Sequence, residues 1–166
     1  MSMTGLEVFD TTVQKTNRWL KELNEHLGSD DRHRAYLCLR ATLHALRDRL
    51  TVEEVAQLGA QLPMLVRGFY YEQWDPTAKP EKVHREVFLA RIEQKMNTRP
   101  EQPIDAERIA RAVFMVLESH VSKGEIEDIR RILPRDMDGL WPEVHQPSAQ
   151  KASTHTSAQR GEADCS

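Results

Sequence analysis

Apolar residues near the start of the chain recur at intervals of three and four. Leu6, Phe9, Val13, Leu20, Leu23 and Leu27 fall on one side of a helix. Thr4-x-x-Glu7 ahead of them reads as a capping box, in which the hydroxyl and the carboxylate each satisfy an orphan backbone N–H. Gly28 supplies the permissive C-terminal position. The spacing therefore predicts a helix over 4–27. Ser29-Asp30-Asp31 is a cap-rich turn, and a second helix is predicted over 32–50. It carries two apolar stripes, one of Leu39, Leu43, Leu46 and Leu50 and one of Leu37, Cys38, Ala41 and Ala45. Its polar arc is left to Tyr36, Arg40 and Arg47. A helix apolar around most of its circumference belongs in the middle of a bundle. Thr51-x-x-Glu54 opens a third helix with Val52, Val55, Leu58 and Leu62 as its apolar face, and Pro63 ends it. Met64–Tyr71 reads as a further turn or short helix, and Trp74–Pro80 as a linker.

The second half runs the same programme. A helix is predicted over 81–96 with Val83, Val87, Phe88, Ile92 and Met96, and Pro100 and Pro103 punctuate the loop after it. Asp105 caps the next helix, which runs to about Val121, with Ile104 and Ile109 placed for a hydrophobic staple. Ser122-x-x-Glu125 is a third capping box, and Pro134 ends the helix it begins. At an offset of 71 residues, Ala35, Arg40, Ala41, Leu46, Glu54, Leu62, Pro63 and Gly68 fall on Ala106, Arg111, Ala112, Leu117, Glu125, Leu133, Pro134 and Gly139. Caps, stripes and terminating prolines coincide. This is the signature of an internal repeat. The expected architecture is all-α: one helical-bundle domain over 1–142, built from two tandem three-helix repeats (about 4–74 and 81–142) around one core. Residues 143–166 hold almost no large aliphatic side chain, and a disordered tail is expected there.

The segment Gly68-Phe69-Tyr70-Tyr71-Glu72-Gln73-Trp74-Asp75-Pro76, followed by Lys79-Pro80 and Phe88-Leu89-Ala90-Arg91-Ile92, resembles the bacterial family called domain of unknown function 2267 (DUF2267). The helix ends at Leu62-Pro63 and Leu133-Pro134 and the closing Leu140-Trp141 are similar to it as well. The resemblance covers about 4–142. It implies an all-α repeat fold in a bacterial cytoplasmic protein, and brings no activity, cofactor or catalytic residue.

Composition narrows the function classes. The chain has 166 residues, 23 Lys and Arg against 26 Asp and Glu, and a formal net charge of -3. That balance argues against a nucleic-acid binder, which needs a basic footprint. The cluster Arg130, Arg131 and Arg135 has no aromatic platform interleaved with it. Two cysteines exclude a disulfide scaffold. No apolar run reaches the roughly 18 residues of a membrane span, and the N-terminus lacks the pattern of a secretory signal. A cytoplasmic location is the expectation.

Candidate chemistry is sparse. No phosphate loop, dinucleotide fingerprint or nucleophile motif is present, and no cofactor is implied. Cys38 lies on an apolar stripe and reads as an inert core thiol, and Cys165 as an exposed one in the tail. Glu22 with His26, and His44 with Asp48, are spaced i and i+4, as shared metal ligands on one helix face need. His26 also suits the helix dipole, and His44 aligns with Met115, a packing position. Arg40 and Arg111 occupy equivalent positions and are the candidates for binding an anion in a groove shared by the repeats. Trp19 adjoins the first stripe. Tyr70, Trp74 and Trp141 are candidates for an interaction surface, against a role covering the ends of the two half-cores. The favoured reading is a non-enzymatic module working through protein–protein or self-association. The alternative is a small-ligand sensor with a pocket between the repeats, and a metal- or nucleophile-dependent enzyme stands third.

Overall fold

The computed structural model describes residues 3–96 and 104–143. The predicted tail, from 144 onward and with Cys165, and the loop prolines Pro100 and Pro103 lie outside the described residues. Within them the chain forms α1 (Glu7–Leu27), α2 (Arg32–Arg47), α3 (Val52–Ala60), α4 (Met64–Tyr71), α5 (Arg85–Lys95), α6 (Ala106–His120) and α7 (Lys123–Ile132). A 3-10 helix over Arg135–Leu140 follows α7. The fold is an all-α helical bundle. No described helix is long and apolar enough to cross a membrane.

Local chemistry sets most of the boundaries. Gly28 adopts the left-handed conformation (φ 66°) and donates its N–H to the Asn24 carbonyl, closing α1. Asp31, Thr51, Asp105 and Ser122 each accept from a backbone N–H three residues on, so all four predicted caps at these helix starts are made. Ile104 and Ile109 lie in the same hydrophobic cluster, as a staple requires.

Three boundaries differ from the sequence expectation. The helix begins at Glu7, with Leu6 as its N-cap, and the Thr4–Glu7 box is not formed. Thr4 instead donates its N–H and hydroxyl to Asp10, at 2.9 and 2.8 Å, because a partner six residues on reaches back over the first turn. The second helix ends at Arg47 rather than 50, where short-range bonds from Arg49 to Leu46 and from Leu50 to Arg47 tighten the chain. The fifth helix starts at Arg85 rather than 81. Residues after Pro80 run beside the end of α2 instead, where Glu81 donates its N–H to the Asp48 carbonyl.

The bundle is organised around α2 and α6. These two pack on each other, and α1 and α5 each pack against both of them. The α3–α4 hairpin closes one side, while α7 and the 3-10 helix close another. One continuous cluster holds residues from both halves of the chain, including Leu39, Leu43, Phe88, Phe114 and Leu117. α2 is buried around nearly its whole circumference. Arg47, placed by the sequence on the polar arc of this helix, is inside: its side chain is 2% exposed. It is tolerated because its N–H groups are occupied. Nη1 donates to the Tyr70 carbonyl at 2.6 Å and the Glu72 carbonyl at 2.8 Å, and Nε donates to Asp48 at 3.0 Å. Val52 also leaves its predicted face and stands exposed. Two steps of three residues rotate it by about 120° from Leu58.

Arg47 thus anchors the end of α4 to the central helix. Replacing it by leucine removes the donor from two carbonyls and strands Asp48 beside an apolar side chain. The expected cost is about 2–4 kcal/mol, a fall in Tm on the order of 10 °C for a domain of this size. Thermal unfolding of Arg47→Leu followed by circular dichroism measures it.

Candidate functional site

The apolar stripe of α1 extends past its covering helices. The buried side of α1 is formed by Thr12, Thr16, Trp19, Leu20, Leu23 and Asn24. Leu6 and Phe9, which begin the stripe in the sequence, stay about half exposed, as do Val8, Met64 and Leu65 close by. The N-terminus of α4 is fixed beside them by the Leu65 N–H, which donates to Thr12 Oγ1 at 3.1 Å. Two adjoining hollows of about 460 and 390 Å³ share Lys15, Leu62, Pro63 and Arg67 and form one groove along α1. Glu7, Val8 and Met64 line its outer end, while Arg18, Trp19, Gln61 and His120 line its inner end.

The inner end is cationic and ordered. Arg67 donates to the carbonyls of Gly59 (2.7 Å), Leu62 (3.0 Å) and Ala60 (3.2 Å), satisfying groups that the end of α3 leaves open. His120 stacks on Trp19 with 4.8 Å between ring centroids, and its Nε2 lies 2.8 Å from Glu22. Lys15 and Arg18 project from α1. Glu7 at the far end is the one acid among the lining residues. Convergent positive charge over an apolar wall raises the local concentration of negatively charged partners.

The family profile described as "uncharacterized conserved protein (DUF2267)" matches residues 16–140. The chain belongs to DUF2267. No curated protein matches it.

In this DUF2267 chain the residues singled out by sequence are mostly committed elsewhere. Glu22 pairs with His120 rather than acting with His26. His44 is fully buried, with Nε2 2.6 Å from the Phe69 carbonyl and Nδ1 3.3 Å from Lys95 Nζ. The carbonyl needs a donor and the ammonium an acceptor, so the network assigns the proton to Nε2. Burial pushes the pKa of His44 down to about 4, with the neighbouring cations adding to it against the Phe69 bond. Asp48 is held by Arg47. Among the described residues no group of three His, Cys, Asp or Glu side chains could hold a metal ion. Arg40 bonds Glu72 at 3.1 Å, and Arg111 bonds Glu107 at 2.6 Å. Arg111 lines a shallow hollow with His26 and Arg108, in which Arg40 takes no part. Tyr70 and Trp141 are buried, the first donating to the Val55 carbonyl at 2.9 Å and the second stacked on Phe114. Trp74 is partly buried against Tyr71. Arg130 sits over the Trp141 ring, and its surroundings mix Glu118, Glu127 and Asp138 with Lys123 and Arg131. Cys38 is buried, and desolvation raises its thiol pKa to about 11.

The groove cations were not legible because they come from α1, α4 and α6, which no spacing rule connects. A second arrangement left a trace. Glu54 and Glu125 are the acids of two capping boxes, and neither box is closed by its acid. Gln61 takes the place of Glu125, accepting from the Ser122 N–H at 2.7 Å and donating to Ser122 Oγ at 3.1 Å. The two glutamates interact instead where α3 packs on α7. Glu54 Oε2 and Glu125 Oε1 are buried without a donor, so sharing a proton is the available way to satisfy them. Burial, and then the Glu54 charge, raise the Glu125 pKa to about 7.

The raised value fixes a sign. At a pH below the usual carboxyl value of 4.5, folded and unfolded chains are both protonated. Between that value and about 7 the folded state keeps a proton the unfolded chain has lost, so stability falls as pH rises and levels off above. Glu125→Gln, which supplies a permanent donor, flattens this window. At pH 8 the variant melts above the wild type by roughly 2–5 °C. Calorimetric melting curves at several pH values check this, and parallel curves for the two proteins contradict the shared proton.

Proposed function

We propose that this protein is a non-enzymatic helical module that docks a partner protein along the α1–α4 groove. The partner segment is amphipathic, with an apolar side for Val8 and Met64 and an acidic side for Lys15, Arg18 and Arg67. The carrying observation is that half-exposed Val8 and Met64 line the same groove as Lys15 and Arg67, with Arg18 at its inner end. Exposed apolar side chains gathered beside charge mark contact surfaces more often than scattered ones do. The frame is two tandem three-helix repeats. Equivalent positions support this: Thr51 and Ser122 cap, Leu62 and Leu133 are buried before a proline, and Tyr70 and Trp141 close the cores. The non-enzymatic reading is supported by a closed-off, protonated Cys38 and by a His44 whose ring nitrogens are both engaged. A cytoplasmic location suits such a module.

A second reading is favoured by the inner end alone. Four basic side chains around a cleft of about 390 Å³ with a Trp19–His120 stack suit a small anion, which would make the protein a ligand sensor. Native mass spectrometry of the purified protein separates the two, since a non-covalent adduct of fixed mass supports the sensor.

The docking reading is tested by placing a photo-cross-linking residue at Met64 in cells of the source organism, with Val87 on α5 as the control. One discrete adduct is expected from Met64 and none from Val87. Lys15→Glu with Arg18→Glu reduces its yield at least tenfold. No adduct from Met64, or one that survives the double charge reversal, contradicts the proposal.

A further inference from the structure

Arg49 stands two residues beyond Arg47, in the turn that leads from α2 to α3, and its surroundings are the opposite of its neighbour's. Its residue surface is 5% exposed. Its Nε and Nη1 are buried and meet no hydrogen-bond acceptor among the described residues. A guanidinium cannot escape burial by losing its proton, and an uncompensated buried charge is among the costliest features a fold can hold. The two nearby acids are engaged elsewhere. Glu81 pairs with Arg91, and Asp136 accepts from the Arg85 N–H at 3.1 Å and lies 3.3 Å from His84 Nδ1. Burial accordingly lowers the Arg49 pKa in spite of them.

Arg49 also lines a cavity of about 700 Å³ between the Lys79–His84 segment and the end of α7. Pro80, Val83, Ile132 and Pro134 supply apolar wall. Lys79, at the end of the linker, and Lys82, just beyond it, add positive charge. The volume falls within the range of small-molecule sites, about 300–1,000 Å³. A planar guanidinium presents paired donors that match a carboxylate or phosphate.

We infer that this cavity binds a small organic anion, its carboxylate or phosphate head on Arg49 and its apolar body against Val83, Ile132 and Pro134. The site is separate from the α1–α4 groove and stands or falls independently of it. It places an anion beside a guanidinium that meets no hydrogen-bond acceptor at Nε and Nη1 among the described residues. Stability given up at a residue is a recurrent mark of function there.

The test uses the full chain and four probes: octanoate and octyl phosphate below micellar concentration, with acetate and inorganic phosphate as heads without bodies. Octanoate or octyl phosphate raises Tm saturably, and the stronger of the two identifies the head group. The short anions at equal concentration shift it far less. Arg49→Met weakens the productive probe at least tenfold and, without a probe, melts at or above the wild-type temperature. Lys82→Glu, on the exposed rim, weakens it several-fold and serves as a second variant. The inference is overturned if neither long probe shifts Tm or if both variants bind as the wild type does. It is also overturned if Arg49→Met melts several degrees lower, which would show that the arginine is satisfied by the fold itself.

Discussion

A helix enclosed on nearly every side has no water to satisfy its polar side chains. α2 is such a helix, and the positions of its neighbours follow from that constraint. His44 and Arg47 are inside, so they bond what the chain can bring to them: the Phe69, Tyr70 and Glu72 carbonyls at the end of α4. A buried charge pair rarely adds stability over an apolar replacement of the same shape, but it penalises every arrangement that leaves it unpaired. Arg47 and His44 therefore specify where α4 ends more than they strengthen the core. Because α4 is fixed, so are Pro63 to Arg67 at its other end, and with them the wall of the groove.

Those elements that depend on local chemistry were legible in the sequence. Asp31, Thr51, Asp105 and Ser122 mark helix starts because a side-chain oxygen three residues before an N–H is enough to cap it. Gly28, Pro63 and Pro134 mark ends for equally local reasons. The elements that failed were decided at a distance. Thr4 found Asp10, six residues away, in place of Glu7. Arg47 fell on a polar arc, and a helical wheel shows which residues share a face and not what lies against it. Glu54 and Glu125 carried the pattern of capping acids and meet each other instead. The groove was not legible, because Val8 and Met64, the half-exposed apolar residues that line it, lie on different helices and no spacing rule joins them.

The core and its surface follow different economies. Leu39, Leu43, Phe114 and Leu117 are closed off, and His44 and Arg47 of α2 beside them are hydrogen-bonded. Among the described residues, stability is left unclaimed at the half-exposed end of α1, at the paired glutamates, and at a buried arginine that meets no acceptor there. A fold selected for stability alone would fill these positions with apolar or neutral side chains. Their concentration at seams between α1 and α4, α3 and α7, and the post-linker segment and α7 points to function at the joints of the bundle.

The central claim is that both halves fold on one shared pair of helices, with α2 and α6 at the middle. Native-state hydrogen exchange measures this directly. The account predicts that core amides of α2 and α6 exchange only through one global opening, with the same free energy and the same denaturant dependence, and that α4 amides are protected with them. An α6 that opens well below α2, independently of it, would show two separately folding halves and contradict the account.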